Sequence, residues 1–384
     1  MAHYKISDVA EEVKDRENNP SESKYDRFVG LEHYVSGDVE ITHFGSTERL
    51  ESAMKVFKAG DILIARRNVY LKRASTVSFD GLTSGDSIVL RAKDPTIARI
   101  LPFVLNTDDF WDYADQYSDG TMSKRLSPKL LLAYEFDLPD DCLEDFADLL
   151  WAANETRNSY RELLRQTDEL VKSQFIEMFG DCIRNDKEWN VRLLQDVLAE
   201  GCRVTYGIVK TEDDIPGGVP VFRPVDISQG HVPTRSELKR TSKEISDQYK
   251  RTILNGDELL ITIRGSVGET FQISKEFEGC NVARNIVPLR ANTEILLQGF
   301  LKAVIDSVAF QEKIASITKG VALKGININE FKVCPIILPP IEMQQQWVEF
   351  AQQSDKSKFV CSNRNLSRCS DHLLPIRKVG QQCQ

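Results

Sequence analysis

One half of this chain can be laid on the other, and that self-similarity constrains the fold more than any single motif does. At offsets of 188 to 200 residues four segments recur in one order. Lys5-Ile6-Ser7-Asp8-Val9 is echoed by Arg192-Leu193-Leu194-Gln195-Asp196-Val197. Residues 57–66 answer to 253–262, with Gly60-Asp61 and Gly256-Asp257 as the turn that opens an apolar strand in each half. Ser87-Ile88-Val89-Leu90-Arg91-Ala92 pairs with Asn285-Ile286-Val287-Pro288-Leu289-Arg290-Ala291. Residues 122–139, opening on Met122-Ser123-Lys124-Arg125-Leu126, pair with 322–340, opening on Ala322-Leu323-Lys324-Gly325-Ile326. A Gly-Asp turn before a strand is common by itself, but four co-linear matches argue for a duplicated unit. Within each half, short β-branched runs alternate with Gly, Asp, Asn and Pro clusters, the pattern of a compact mixed α+β domain.

The connecting stretches read differently. Residues 143–179 contain no Gly or Pro and place Phe146, Leu149, Ala153, Thr156, Tyr160, Leu163, Thr167 and Leu170 at alternating three- and four-residue steps, widened by Leu150, Leu164, Val171, Phe175 and Met178. That is heptad spacing. At about 1.5 Å per residue it predicts a rod of roughly 55 Å, with acids in its first turns, where the helix dipole favours them, and Gly180 as its cap. A second helix starts at Pro340-Ile341-Glu342, with Trp347, Phe350 and Ala351 apolar. The expected plan is a globular unit over 1–139, a spacer helix over 140–180, a second unit over 181–340, a second helix over 341–374 and an unstructured tail over 375–384.

Composition excludes some classes. At 41% hydrophobic and 28% charged residues the chain reads as soluble, and its amino terminus lacks a secretory pattern, so the cytoplasm is expected. Cys142, Cys182, Cys202, Cys280 and Cys334 are far apart, and no C-x-x-C spacing occurs. No phosphate loop, no G-x-G-x-x-G and no Asn/Asp-Pro-Pro-aromatic pocket is present. His3, His33, His43, His231 and His372 show no pairing beside a nucleophile. The paired acids Asp140-Asp141 and Asp213-Asp214 fall in helix starts or turns. No catalytic site and no metal site are expected. A net charge of −9 argues against bulk electrostatic coating of nucleic acid, so any DNA contact has to come from local basic patches.

Three segments carry a resemblance. Tyr25-Asp26-Arg27-Phe28-Val29-Gly30-Leu31-Glu32-His33 resembles the opening strand motif of target-recognition domains in specificity subunits of Type I restriction–modification systems. Gly218-Val219-Pro220-Val221-Phe222-Arg223-Pro224-Val225-Asp226-Ile227 is similar to the other common form of that motif. Gly325-Ile326-Asn327 through Pro339-Pro340-Ile341-Glu342-Met343-Gln344 is similar to the exit into the long helix. The resemblance covers residues 1 to about 360. It implies two target-recognition domains held apart by antiparallel coiled-coil helices in a pseudo-two-fold arrangement, each reading half of a bipartite double-stranded DNA site, as dimeric repressors do with two chains. It also implies two modification subunits that use S-adenosylmethionine and restriction subunits that use ATP and Mg, with no cofactor and no catalysis in this chain.

The densest basic patch of the first half, Arg66, Arg67, Asn68, Tyr70, Lys72 and Arg73, follows the Gly60-Asp61 strand; Arg264 stands at the corresponding strand end. Arg forks match guanine, Asn matches adenine and Lys holds phosphate. Lys124, Arg125, Arg223, Lys319 and Lys324 are further candidates. From Val360 onward the Ser- and Asn-rich tail departs from the family, and Pro375 would end any helix, so the second helix is expected to be shortened. Other readings remain open: a structural coiled-coil interaction protein with two globular heads, or a nuclease fused to a reader.

Overall fold

The computed structural model describes residues 1–372 apart from 121–122, 140–141, 212–213, 228–232 and 321–323, with side chains to 356. Asp140, Asp141, Asp213, His231, the side chain of His372 and the tail 375–384 lie outside the described residues. The chain is a mixture of helix and sheet and forms two compact units, one built on Met1–Tyr160 and one on Arg161–Ser362.

In the first unit the principal strands are β1 (Ala2–Lys5), β2 (Ala10–Val13), β3 (Arg27–Val29), β4 (Ile62–Ala65), β5 (Ala74–Thr76), β6 (Gly81–Thr83), β7 (Ser87–Ala92) and β8 (Glu135–Leu138). The central sheet has the order β2-β7-β4-β5. β1 pairs with β8 antiparallel, and β3 runs parallel to β6 with Phe28 opposite Leu82. Helices α1 (Pro95–Val104) and α2 (Asp108–Tyr117) cover one face. The strand β4 is buried along its whole length because its alternating side chains feed two cores. Ile62 and Ile64 pack with Ile97, Leu101 and Phe110 of the helices, whereas Leu63 and Ala65 pack with Val29 and Phe57 on the opposite face. A continuous apolar run is what a strand between two cores requires.

The long helix α3 (Leu143–Phe179) ends at Gly180, whose φ of 72° suits a left-handed cap and whose N–H donates to Ile176 O at 2.8 Å. Ala147 and Leu150, near its start, belong to the first unit's core. Phe175 and Phe179, at its end, belong to the second's. Half of the stripe read from the sequence holds, with Phe146, Ala153, Tyr160 and Thr167 half-buried, and the other half is displaced by one position. Leu149, Leu163 and Leu170 are about half exposed, while Leu150, Arg157, Leu164, Val171 and Met178, also at seven-residue steps, are buried or half-buried. The shift arises because polar residues occupy the inward stripe: Asn154 is buried and Arg157 donates to Asn154 Oδ1 at 2.7 Å and to Gly37 O at 3.2 Å.

The second unit repeats the first. Its strands are β9 (Asn190–Leu193), β10 (Val219–Phe222), β11 (Leu259–Thr262), β12 (Thr270–Gln272), β13 (Asn281–Val282), β14 (Ile286–Leu289) and β15 (Pro335–Leu338). β9 pairs with β15 antiparallel, the sheet order is β12-β11-β14, and β10 runs parallel to β13 with Val221 opposite Asn281. Leu259 and Ile261 enter one core and Leu260 the other, with α4 (Gln298–Asp306) and α5 (Val308–Ile317) on the first side. The backbone of α6 is helical over Ile341–His372, so the Ser- and Asn-rich stretch from Cys361 to Cys369 continues the helix. Within this unit Trp347 of α6 meets Phe175 of α3 edge-on at 5.5 Å.

The structure also corrects the alignment of the halves. Asp61 accepts from Lys58 N–H at 2.8 Å and Glu258 accepts from Asn255 N–H at 2.9 Å, so Glu258, and not Asp257, takes the place of Asp61. Ser87 pairs with Ala65 and Ile286 pairs with Thr262, so Asp86 is the counterpart of Asn285.

Candidate nucleic-acid interface

At the end of β4 the chain leaves the sheet and is held by three backbone hydrogen bonds. Arg66 N–H donates to Asp86 O at 2.9 Å, Leu126 N–H to Arg66 O at 2.9 Å, and Asn68 N–H to Lys124 O at 3.0 Å. The same three recur at the end of β11: Ile263 N–H to Asn285 O at 2.8 Å, Ile326 N–H to Ile263 O at 2.9 Å, and Gly265 N–H to Lys324 O at 3.2 Å. Bridges Arg67–Arg125 and Arg264–Gly325 complete the likeness. The module therefore gathers the strand end and the loop before its last strand into one corner, and the sequence places cations there in both units.

The first corner brings together the residues of 66–73 with Lys124 and Arg125. Asn68 and Lys72 have φ of 54° and 47°, and this left-handed turn leaves Tyr70 mostly exposed. Ser123 Oγ donates to Asn68 Oδ1 at 2.9 Å. Most of the cations are already engaged. The carboxylate oxygen Oδ1 of Asp86 receives Arg67 Nε at 2.9 Å and Arg125 Nη2 at 2.6 Å. Lys72 pairs with Asp108, and Lys124 with Asp115 at 2.6 Å. Arg73 turns inward, donating to Leu31 O at 3.0 Å and Arg67 O at 3.1 Å; burial lowers its pKa from the ordinary value, partly offset by Tyr34 and Tyr70. Arg66 Nε is buried and has no hydrogen-bond partner among the described residues.

The second corner is different in charge. Arg264 and Lys324 are exposed, and among the described residues neither side chain has an ion pair. Arg284, next to Asn285, is also exposed and has none; its N–H donates to Ile208 O at 2.8 Å. Arg223 follows β10, and Phe222 O accepts from Ala283 N–H at 2.9 Å, so Arg223 approaches the same chain ends. Its guanidinium is held by Asp226 through Nη2–Oδ1 at 2.7 Å and Nε–Oδ2 at 3.0 Å, which raises the Arg223 pKa. Lys319 pairs with Glu330.

Two residues of these corners, Asp86 and Arg284, escape a search for basic clusters. Asp86 is acidic, and Arg284 is isolated in sequence. The signal that points to both is their position, just before the third repeated segment. Elsewhere, among the described residues, no group of three or more His, Cys, Asp or Glu side chains is arranged to hold a metal ion, and no helix is long and apolar enough to cross a membrane.

Comparison with known proteins gives these corners a context. The family described as the Type I restriction modification DNA specificity domain matches residues 186–365. The Type I restriction enzyme EcoBI specificity subunit of Escherichia coli is 30% identical over 190 residues, which is 50% of this chain and 40% of that relative, so the match spans less than half of its length. The crystal structure of the S subunit of a Type I restriction-modification system from M. genitalium covers 97% of this chain and 94% of its own at 11% identity and a TM-score of 0.51, a likeness of fold. A chain from a structure of type I R-M complex assembly and conformational transition covers 97% and 96% at 19% identity and a TM-score of 0.48. Residues 186–365, which include the strand end and exit helix described above, thus match the family of Type I restriction modification DNA specificity domains.

Proposed function

We propose that this chain is the DNA-recognition subunit of a Type I restriction–modification complex, a reader with no catalysis of its own. The observation that carries the reading is the duplicated corner: one set of three backbone hydrogen bonds, made twice, presents arginines at the same strand end of each unit. Two copies of one reader in one chain suit a bipartite double-stranded site, each unit taking one half, and long helices suit the task of fixing the gap between halves. Arg264 and Arg284, whose guanidinium groups have no ion pair among the described residues, are matched to guanine edges or phosphates, and Asn68 to adenine. Arg67, Arg125, Tyr70, Lys72, Arg73, Lys124, Arg223, Lys319 and Lys324 form the remainder of the two faces.

Chemistry then has to come from partners. Two modification subunits would supply S-adenosylmethionine-dependent adenine methylation, and restriction subunits would supply ATP- and Mg-dependent translocation and cleavage, all in the cytoplasm. The half-exposed Leu149, Leu163 and Leu170 of α3 are the kind of apolar surface that a partner subunit covers.

Co-expression with the cognate modification subunit, followed by long-read mapping of adenine methylation, tests the reading. The expected outcome is new methylation at one split motif. A soluble complex that methylates nothing would refute the chain as an active reader, and the absence of any complex would refute the assigned partners.

A further inference from the structure

The two corners share a backbone but not a charge. In the first, one carboxylate oxygen of Asp86 is shared by Arg67 and Arg125, and the three side chains together carry a single positive charge. All three are partly exposed, Asp86 at 26% and the arginines at 50% and 42%. Ion pairs so open to solvent contribute little to stability, so folding alone gives no strong reason to place an acid there. In the second corner the counterpart of Asp86 is the neutral Asn285, and Arg264, Arg284 and Lys324 are exposed with no ion pair among the described residues.

We propose that Asp86 is an internal substitute for DNA phosphate, an affinity- and specificity-setting residue that holds Arg67 and Arg125 against sequence-independent phosphate contacts and leaves their remaining donors for a base edge. This inference rests on the DNA-recognition reading. Arg67 uses Nε and Arg125 uses Nη2 toward the carboxylate, which leaves each guanidinium with further donors for a base edge. A phosphate, by contrast, meets the carboxylate's negative charge and has to displace it from charge-assisted hydrogen bonds. The first unit thus contributes little to sequence-independent attraction and leaves its arginines aimed for base contacts. The second unit, with uncommitted cations, supplies the backbone grip. One chain divides the two tasks of affinity and discrimination between its two copies of the module.

The test is the salt dependence of binding by the full chain to a short mixed-sequence DNA duplex, read by fluorescence anisotropy. Asp86→Asn is expected to tighten binding about three- to tenfold and to steepen the plot of log K against log salt by about one unit, the effect of roughly one added phosphate contact. Asn285→Asp is expected to do the reverse, and it protects the test against misfolding of the first variant. The gain from Asp86→Asn is expected to vanish when Arg67 and Arg125 are also changed to Ala. Unchanged or weaker binding by Asp86→Asn, with an unchanged melting temperature, overturns the proposal alone, as does a gain that survives loss of both arginines. A wild-type chain that binds no duplex overturns the DNA-recognition reading together with it.

Discussion

At the scale of single residues, the two copies solve the same local problem with different chemistry. The first helix after the central sheet needs acceptors for its free N–H groups. In the first unit Asp94 supplies them, accepting from Thr96 and Ile97 N–H at 2.9 and 3.0 Å. In the second unit the cap position is Leu297, which has no such side chain. A fully buried Gln344 from α6 serves there instead, its Oε1 accepting from Leu297 N–H at 2.9 Å and its Nε2 donating to Ile295 O at 3.1 Å and Pro339 O at 2.9 Å. Gln344→Ala would strand backbone groups of Ile295, Leu297 and Pro339 and open a cavity, so it should cost about 2–4 kcal/mol. Urea denaturation checks this, and a loss within about 0.5 kcal/mol, the usual effect of surface changes, would show that the amide is replaceable by water.

At the scale of elements, the end of α3 is fixed by Gly180. Its φ of 72° already disfavours other residues, and a Cβ there would strike the Asp186 carboxylate, which accepts from Asp181 N–H at 2.8 Å. Gly180→Ala should therefore destabilise the second unit by more than the roughly 1–2 kcal/mol that a positive φ costs by itself. Gly201→Ala, with φ of 79° and open space around it, is the control that carries only the backbone cost. Thermal melts of the two variants that coincide would count against the clash. The helix was legible in sequence because 37 residues without Gly or Pro end on a cap, and the repeated strands were legible because a Gly turn precedes an apolar run twice. The polar members of the inward stripe were not, since Asn154 and Arg157 are held there by hydrogen bonds that hydrophobic periodicity does not register. Nor was the state of the basic patch. Sequence shows the cations Arg67, Lys72, Lys124 and Arg125, but their partners Asp86, Asp108 and Asp115 come from separate segments that only folding brings together.

At the scale of the whole molecule, the duplication has an energetic consequence. Each unit closes its own pair of cores around its own central strand, Ile62–Ala65 in one and Leu259–Thr262 in the other. Between its two anchored ends α3 exposes Arg161, Glu162, Leu163, Arg165 and Gln166 with little burial, and a stretch of helix that buries so little apolar surface conveys little cooperativity in water. The units should then unfold as separate bodies. Phe300 offers the test, being fully buried against Phe175 at 5.8 Å, Phe179 at 4.8 Å and Trp347 at 6.5 Å. Phe300→Ala should cost about 3–5 kcal/mol. Hydrogen exchange read by mass spectrometry should show β11, β14 and the last turns of α3 losing protection, while β4, β7 and the turns around Ala147 and Leu150 keep theirs. Equal loss on both sides would mean that the helix couples the two units into one cooperative body, so that damage to either unit would unfold both.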